Sequence, residues 1–286
     1  MHKPVLLKEV MSLLNPKAGG VYVDCTLGCG GHTIAILSSG AKVYGIDRDL
    51  EALTKLKVKS PADGGINSKL KVLHTNFRNL SELIKGKVNG VLFDLGISSE
   101  QIDSPVRGFS YRFNGLLDMR MDRSKGVPCY KLIREMRVDD LEYILRTYGE
   151  ERYSRRIARE IVQNRPETTE ALKEIIRRIT PPSGRTKILA RVWQGLRIFV
   201  NDELACLRDG LAEANKILKV GGRICVISYH SLEDRMVKHY FRTETGLKVI
   251  TNKPIRPTED EISGNPRARS AKLRCAEKIK TPVVKS

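Results

Sequence analysis

Short apolar strands alternate with helical segments along the first hundred residues, and this alternation restricts the possible folds more than any other feature. Strands are predicted over residues 21–24, 42–47, 69–74 and 88–95, and helices over 4–14, 32–37, 50–57 and 80–84. Strands joined through helices run parallel in one sheet that the helices cover. The alternation returns near the C-terminus, with a helix over 212–218, a break at Gly221 and Gly222, a strand over 223–228, a helix over 232–243 and strands over 247–251 and 271–276. The chain is therefore predicted to contain an α/β domain with a mostly parallel sheet.

A different pattern separates the two α/β segments. Residues 104–128 are rich in Gly and Pro, which is typical of loops, and from about Tyr130 to Val200 the apolar residues recur with helical spacing. We therefore predict an all-helical domain over residues 105–200. It is inserted into an α/β domain that residues 1–104 and 201–286 form together.

The net charge of +18 is concentrated outside the first third of the chain. Residues 104–204 contain 17 Arg, whereas residues 1–103 contain only two. Arg forms bidentate contacts with phosphate and stacks on bases, so this distribution favours a polyanionic partner, most often a nucleic acid. A well-solvated protein surface is the alternative interpretation.

One predicted helix of the insertion, over residues 151–164, has a basic stripe. Four arginines recur on one side at i, i+3, i+4 and i+7, namely Arg152, Arg155, Arg156 and Arg159. Apolar residues such as Ile157 occupy the other side, so the helix is amphipathic. The stripe is predicted to bind the polyanionic partner, with a solvated face paired to Glu side chains as the alternative.

Composition also excludes several classes of protein. The cysteines, at positions 25, 29, 129, 206, 225 and 275, form no Cys-x-x-Cys pair, so we predict reduced thiols and no bound metal. The apolar runs are only a few residues long, which predicts no membrane span. The first residues, Met1-His2-Lys3-Pro4, lack the pattern of a signal or transit peptide, so we expect a cytoplasmic protein.

The most informative motif is a glycine-rich turn between the first strand and the helix after it. Asp24 ends the strand, and Gly28, Gly30 and Gly31 lead into the helix. Glycines at such positions permit a ligand to approach the backbone closely, although plain tight turns also use them. Asp47 ends the next strand, where a carboxylate can accept hydrogen bonds from both hydroxyls of a ribose. This combination predicts a nucleoside site at the carboxyl ends of adjacent strands.

The nucleoside is predicted to lack a pyrophosphate. Thr33 occupies the position where the dinucleotide fingerprint Gly-x-Gly-x-x-Gly has its third glycine. S-adenosylmethionine therefore fits better than a dinucleotide. Phe77 follows the third strand and is a candidate to cover an adenine ring, with ordinary helix–sheet packing as the alternative. Asp94 ends the fourth strand and Gln101 follows soon after, so both are added to the predicted site.

A series of motifs runs in order through nearly the whole chain. They are residues 2–7 (HKPVLL), 26–32 (TLGCGGH), 47–49 (DRD), 94–99 (DLGISS), 107–110 (RGFS), 117–122 (LDMRMD), 148–151 (YGEE), 196–198 (LRI), 230–235 (HSLEDR) and 265–270 (NPRARS). With these motifs the sequence resembles the ribosomal RNA small subunit methyltransferase H family, also called the MraW family.

The resemblance implies a Rossmann-like class I methyltransferase sheet with an inserted all-helical domain, and S-adenosyl-L-methionine as the methyl donor. It implies methyl transfer to the exocyclic N4 amine of a specific cytidine in the decoding region of small-subunit (16S-type) rRNA. The partner would be this rRNA or the 30S-type subunit, with no membrane involved. Donor-binding residues carried over from the family are Gly30, Gly31, His32, Asp47, Phe77, Asp94 and Gln101.

Two stretches depart from the family pattern. Asn114-Gly115-Leu116 stands where the family usually has Asp-Gly-Pro, and Ala190-Arg191-Val192-Trp193-Gln194 replaces Thr-Arg-Thr-Phe-Gln. Both lie in the predicted insertion. They therefore affect the expectations about the substrate rather than those about the methyl donor.

Asp94 and His230 are the candidates for the catalytic acceptor. The lone pair of a cytosine N4 is delocalised into the ring, and an acceptor bonded to an N–H would localise it and later take a proton. Asp94 ends the fourth strand, whereas His230 ends a strand beyond the insertion and has bracing of its own loop as the alternative role. Neither loop contains the nucleophilic Cys that methylation at C5 would require.

A base inside structured rRNA must leave its stack to reach such a pocket, and aromatic or Arg planes can receive it. Phe109, Tyr111 and Arg112 are candidates for this role. Two rival functions stay open: a catalytically inactive RNA-binding or ribosome-assembly factor, and a methyltransferase acting on another amine in DNA or a small molecule. The intact glycine-rich turn and Asp47 favour the enzyme over the inactive factor. The oligomeric state is open, with a homodimer as one option.

Overall fold

The computed structural model describes residues 4–59 and 68–280, and of residues 57–59 only the backbone. The chain divides into two compact units. The sheet unit consists of Met1–Gly96 with Ala205–Ser286, and the helical unit consists of Ile97–Leu204. Within the described ranges, no helix is both long enough and apolar enough to cross a bilayer.

A seven-stranded sheet lies at the centre of the sheet unit. Its strands are β1 (Val21–Asp24), β2 (Lys42–Asp47), β3 (Leu70–His74), β4 (Val88–Asp94), β5 (Leu218–Ser228), β6 (Leu247–Val249) and β7 (Lys272–Lys278). The order across the sheet is β3-β2-β1-β4-β5-β7-β6. The first five strands are parallel, and β7 is antiparallel to both neighbours. This topology confirms the predicted Rossmann-like α/β fold, and its order reverses between β1 and β4, where open α/β sheets bind ligands.

The described residues contain the predicted helices, together with short ones over 99–103 and 259–264 that the sequence did not predict. In chain order they are α1 (Leu7–Leu14), α2 (Gly31–Ser38), α3 (Leu50–Lys59), α4 (Leu80–Leu83), α5 (Ser99–Asp103), α6 (Cys129–Glu135), α7 (Val138–Thr147), α8 (Ser154–Asn164), α9 (Thr169–Ile179), α10 (Arg185–Asn201), α11 (Glu203–Ile217), α12 (Ser231–Thr243) and α13 (Glu259–Gly264). The helical insertion is thus built from α5 to α10.

Strand β4 contributes to two apolar cores, one on each face of the sheet. Val91 and Phe93 belong to one core together with Leu211 of α11, and Leu92 belongs to the other together with Ile36 of α2. Successive side chains of a strand point to opposite faces, so a strand covered on both sides needs an uninterrupted apolar run. This explains why residues 88–95 were recognisable from sequence as a buried strand.

Strand β5 begins earlier than the sequence predicted. Helix α11 ends at Ile217, and the strand continues from Leu218 through Gly221 and Gly222. Gly221 has a φ of +80°, and a Cβ on Gly222 would lie 2.9 Å from the carbonyl oxygen of Asn89. The glycine pair therefore permits β5 to approach β4 closely, at a point where the pairing register shifts, instead of separating a helix from a strand.

The helical unit extends beyond the predicted limits of residues 105 and 200. Ile97 packs against its apolar core, which includes Trp193. At the other end, the Asn201 amide donates to the carbonyl oxygen of Met119 at 2.7 Å and accepts from the N–H of Met121 at 2.8 Å. These long-range contacts assign both flanking segments to the helical unit, which spans residues 97–204.

Candidate functional site

Asp24, at the end of β1, organises the glycine-rich turn. Its carboxylate accepts from the N–H of Thr26 at 3.1 Å and from the hydroxyl of Thr33 at 2.7 Å. Burial raises the pKa of Asp24, and the two hydrogen bonds oppose this effect. The Thr26 hydroxyl in turn accepts from the backbone N–H of Asp94 at 2.7 Å, so the turn is tied to the end of β4.

Gly30 and Gly31, which were predicted to contact the donor, are also required by the packing of the turn itself. Gly30 has a φ of +79°, and a Cβ there would lie 2.9 Å from the Leu56 side chain. A Cβ on Gly31 would lie 2.7 Å from Cγ of Pro4. These contacts are with other parts of the sheet unit, so the glycines by themselves do not demonstrate a ligand.

Asp47, at the end of β2, faces the same turn. Its Oδ2 accepts from the N–H of Gly28 at 2.7 Å, and its Oδ1 accepts from the N–H of Asp49 at 2.8 Å. Burial raises the pKa of Asp47, with the two backbone N–H groups acting in the opposite direction. Each carboxylate oxygen has a second lone pair. The group can therefore hold the turn and still accept hydrogen bonds from a pair of ligand hydroxyls.

Asp94, at the end of β4, is placed between two side chains of the sheet unit. The Tyr229 hydroxyl donates to its Oδ1 at 2.8 Å, and Nδ1 of His32 lies 3.5 Å from its Oδ2. Burial and then the Asp94 charge raise the pKa of Tyr229 well above its ordinary value, so the phenol keeps its proton and remains a donor. The Tyr229 hydrogen bond orients the Asp94 carboxylate, which keeps about a quarter of its side-chain surface exposed, and Nδ1 of His32 forms an ion pair with it only when the imidazole is protonated.

His32 is oriented by the chain's N-terminal segment. Its Nε2 lies 3.0 Å from the carbonyl oxygen of Val5. A carbonyl oxygen only accepts, so Nε2 carries the hydrogen of this bond. This contact turns Nδ1 towards Asp94, and the buried ring has little freedom to rotate away.

Tyr229 was not identified from the sequence. It lies just beyond β5, and Asp94 is paired with Ile227 in the adjacent strand, so both side chains are at the same edge of the sheet. The available signal was the polar run Tyr229-His230 immediately after an apolar strand. Without the strand order, that signal could not select which carboxylate the phenol contacts.

His230, the second predicted acceptor, begins helix α12. Its Nδ1 lies 3.4 Å from the N–H of Glu233, and its Nε2 lies 3.1 Å from the Glu233 carboxylate. The same carboxylate accepts from the Tyr229 N–H at 2.9 Å. The side chains of His230 and Glu233 are only 8% and 4% exposed. In this structure His230 therefore braces the start of α12, which is the alternative role that the sequence left open.

Phe77 and Gln101 are placed differently from the carboxylates. The Phe77 ring packs edge-on against Phe93 at 5.3 Å and against Gly210, so helix–sheet packing accounts for part of its surface. Gln101 belongs to the helical unit, where its side-chain oxygen accepts from the N–H of Ser98 at 2.9 Å in a capping box at the start of α5.

The predicted RNA-binding arginines are exposed, but they differ in their place on the helix and in their ion pairs. Arg152 precedes α8 rather than lying in it, because the helix begins at Ser154. Arg155 is paired with Asp139 and Glu142. In the described part of the chain, no carboxylate lies within ion-pairing distance of Arg152, Arg156 or Arg159. The stripe therefore offers three available cations, and Arg155 is largely neutralised.

The predicted base-receiving rings are mostly committed to the core. Phe109 is buried beside the Arg107 guanidinium, and Tyr111 packs edge-on against Trp193 at 5.7 Å. Arg112 is exposed, as expected. The neighbouring Phe113, which the sequence interpretation overlooked, is 39% exposed.

Comparison with known proteins shows relatives of similar length. A protein from Trichodesmium erythraeum named ribosomal RNA small subunit methyltransferase H is 47% identical over 284 residues, which cover 97% of this chain and 99% of the relative. A protein of the same name from Deinococcus radiodurans is 46% identical over 290 residues, covering 98% and 91%.

A solved structure supports the fold independently. A Streptococcus mutans protein assigned as a methyltransferase, in complex with SAH, superimposes with a TM-score of 0.50 at 14% identity, covering 98% of this chain and 100% of that one. The model of the MraW methylase family matches residues 1–279. Matched over almost its entire length and closely similar to these relatives, the chain belongs to the MraW methylase family.

Proposed function

We propose that the chain transfers a methyl group from S-adenosyl-L-methionine to the exocyclic N4 amine of a specific cytidine in the decoding region of small-subunit rRNA. Family membership and the names of the relatives support the rRNA substrate. The observation that carries the chemistry is the partly exposed Asp94 carboxylate, which accepts from the Tyr229 hydroxyl and lies beside His32 at the edge of the sheet.

The donor site that we propose comprises Gly30, Gly31, His32, Asp47, Phe77, Asp94 and Gln101. Asp47 fits a nucleoside because its oxygens have lone pairs left for two ribose hydroxyls. The SAH complex of the structurally similar Streptococcus mutans protein agrees with a donor of this kind. When bound, the donor supplies an electrophilic methyl group on a sulfonium.

Asp94 is the proposed acceptor. A carboxylate oxygen that accepts an N–H of the amine localises the nitrogen lone pair and orients it, and positioning of this kind supplies much of the rate of a group transfer. The Tyr229 hydroxyl and the His32 ring limit rotation of the carboxylate. His230 stays the second candidate, although its bracing role makes it the weaker one.

RNA binding is assigned to the helical unit. Arg112, Arg152, Arg156 and Arg159 offer exposed guanidinium groups to phosphates, and Arg155 contributes less because of its ion pairs. Phe113, beside Arg112, is an exposed ring suited to stacking on an unpaired base. Its carbonyl oxygen accepts from the Thr169 hydroxyl at 2.6 Å, so the backbone that carries the ring is anchored to α9.

The decisive experiment uses small subunits from cells that lack the enzyme. They are incubated with the full chain and methyl-labelled S-adenosylmethionine, and the label is mapped to a nucleotide and to an atom. We expect one labelled cytidine in the decoding region, with the label on N4. Label on C5, on another RNA or on a protein would contradict the proposal, and naked rRNA in parallel tests which form of substrate is used.

A further inference from the structure

The segment Pro4–Leu6, here called the N-terminal strap, contacts the candidate site at Gly31 and His32. Pro4 packs on Gly31 of the glycine-rich turn. The Val5 carbonyl oxygen faces Nε2 of His32 at 3.0 Å, and the Leu6 N–H donates to Oε1 of Glu261 at 2.7 Å. The single peptide group between Val5 and Leu6 thus contacts His32 through its carbonyl oxygen and, through its N–H, a residue 255 positions away.

The strap has an unfavourable backbone conformation at the point where these contacts meet. Leu6 has φ 53° and ψ 35°, in the left-handed region that a bulky non-glycine residue seldom adopts. Its side chain is fully buried, and it caps helix α1 without a side-chain hydrogen bond of its own. Such a conformation persists only where surrounding contacts hold it, and it is common at functional sites.

Glu261 is placed to hold this conformation. It lies in the first turn of α13, where its own N–H donates to the hydroxyl of the capping residue Thr258 at 3.2 Å. A carboxylate that accepts a backbone N–H forms a charge-assisted hydrogen bond, which is stronger than a neutral one. The Glu261 charge also acts on Tyr229, as a smaller contribution than burial and Asp94 to the raised pKa of that phenol.

We propose that Glu261 is a positioning residue for methyl transfer, which orients Asp94 through the strap and His32. Glu261 holds Leu6, the adjacent Val5 carbonyl sets the orientation of the His32 ring, and Nδ1 of that ring lies 3.5 Å from Asp94. Because Nε2 carries the hydrogen that the Val5 carbonyl accepts, Nδ1 donates to Asp94 when the imidazole is doubly protonated, and Asp94 is then held from the strap side as well as by Tyr229. The inference rests on the proposed function of Asp94.

The test compares Glu261→Ala, Glu261→Gln and Glu261→Asp with a control, Glu259→Ala, in the full-length protein. Glu259 is exposed and lies in the same turn of α13. Four quantities are measured: hydrogen exchange of the Leu6 amide, the single-turnover rate at saturating S-adenosylmethionine, donor affinity by calorimetry, and the melting temperature. Gln retains an oxygen that can accept the Leu6 N–H, whereas Ala lacks it and Asp is one methylene too short.

We expect Glu261→Ala and Glu261→Asp to accelerate Leu6 exchange and to lower the single-turnover rate by about tenfold, because a misplaced reacting group is costly even when the donor binds. Donor affinity should fall by a smaller factor than the rate, since the strap contacts Gly31 and His32 of the proposed donor site but Asp47, the proposed ribose acceptor, is untouched. Glu261→Gln should restore both the exchange protection and most of the rate. The control should match the parent in all four measurements.

Three results would overturn the inference: a parental rate in a variant that has lost Leu6 protection, a Gln variant as slow as the Ala variant, or an equal loss in Glu259→Ala. If Glu261→Ala does not fold, the Asp and Gln variants still separate the outcomes. A parent that methylates no small-subunit RNA would refute the proposed function instead. In that case unchanged Leu6 exchange across all variants would refute the Glu261 contact itself.

Discussion

At the scale of single residues, Asp94 carries the proposed chemistry. Replacing it by Asn keeps the shape and removes the charge that an amine N–H would meet. We expect Asp94→Asn to lower the single-turnover rate at saturating S-adenosylmethionine by about 10²-fold, as for a lost general base, while donor affinity changes far less. Rapid-quench kinetics and calorimetry measure the two quantities separately.

His230→Ala is the matched comparison for Asp94. Because His230 braces the start of α12 through Glu233, we expect His230→Ala to lower the melting temperature and to leave the single-turnover rate near that of the parent. A near-parental rate in Asp94→Asn at saturation would remove Asp94 from the catalytic residues. A strong rate loss in a fully folded His230→Ala protein would then assign the role to His230.

Asp47 is expected to determine donor affinity. Asp47→Ala removes the acceptor proposed for both ribose hydroxyls, and a lost hydrogen bond to a charged group costs about 1.5–3 kcal/mol. Calorimetric titration should therefore show S-adenosylmethionine binding weakened by at least about tenfold.

Asp49→Ala is the control for this effect. Asp49 lies in the same Asp47-Arg48-Asp49 motif, but its carboxylate accepts from the Glu51 N–H at the start of α3. We expect Asp49→Ala to lower the melting temperature and to leave donor affinity near that of the parent. Equal weakening of donor binding in both variants would mean that Asp47 acts through the fold and not through the ribose.

At the scale of elements, helix α8 and the residue before it present the available cations of the stripe. Replacing Arg152, Arg156 and Arg159 together by Gln should weaken RNA binding and reduce the slope of log K against log salt by roughly 2 to 3, because fewer counterions are released. Donor affinity should not change. Filter binding or fluorescence anisotropy over a series of salt concentrations measures the slope.

Arg155 provides a control on the same helix. Its guanidinium is already paired with Asp139 and Glu142 of α7, so Arg155→Gln should change the slope much less than the average of the other three. An unchanged slope in the triple variant would show that this side of α8 is only a solvated surface.

At the scale of the whole molecule, stability in acid depends on carboxyl groups whose pKa values are shifted in opposite directions by folding. For Asp118, burial acts to raise the pKa, but hydrogen bonds from Arg120, at 2.7 and 2.9 Å, hold it below the ordinary value. A lowered folded-state pKa contributes stability that is present above the unfolded value of about 3.9 and is lost as the pH falls through the folded value. Asp24 and Asp47 have raised pKa values, so their contributions have the opposite sign.

We therefore expect Asp118→Asn and Arg120→Gln each to be less stable than the parent at neutral pH, with a difference that shrinks as the pH falls below about 4. Urea unfolding at a series of pH values measures this difference directly and cancels the contributions of Asp24 and Asp47. A constant difference at all pH values would contradict the role assigned to the Asp118–Arg120 pair.

Local sequence patterns determined much of this molecule. Apolar runs and turn residues were sufficient to predict β1 and β2 with the observed limits, because the period of a strand and the chemistry of its turn are encoded within a few neighbouring residues. The placement of Asp47 and Asp94 at strand ends followed from the same runs. The family motifs then added His32 to the predicted site and supported the choice of Gln101.

Only the tertiary structure decided which side chains meet. Tyr229 contacts Asp94 across 135 residues, and Glu261 contacts Leu6 across 255. Arg155, which was predicted to be available to RNA, is paired with carboxylates of a different helix. Strand β5 continues through a glycine pair that by itself indicated a break. Such contacts depend on strand order, register and helix packing, which arise when distant segments bury apolar surface together, and no local pattern encodes them.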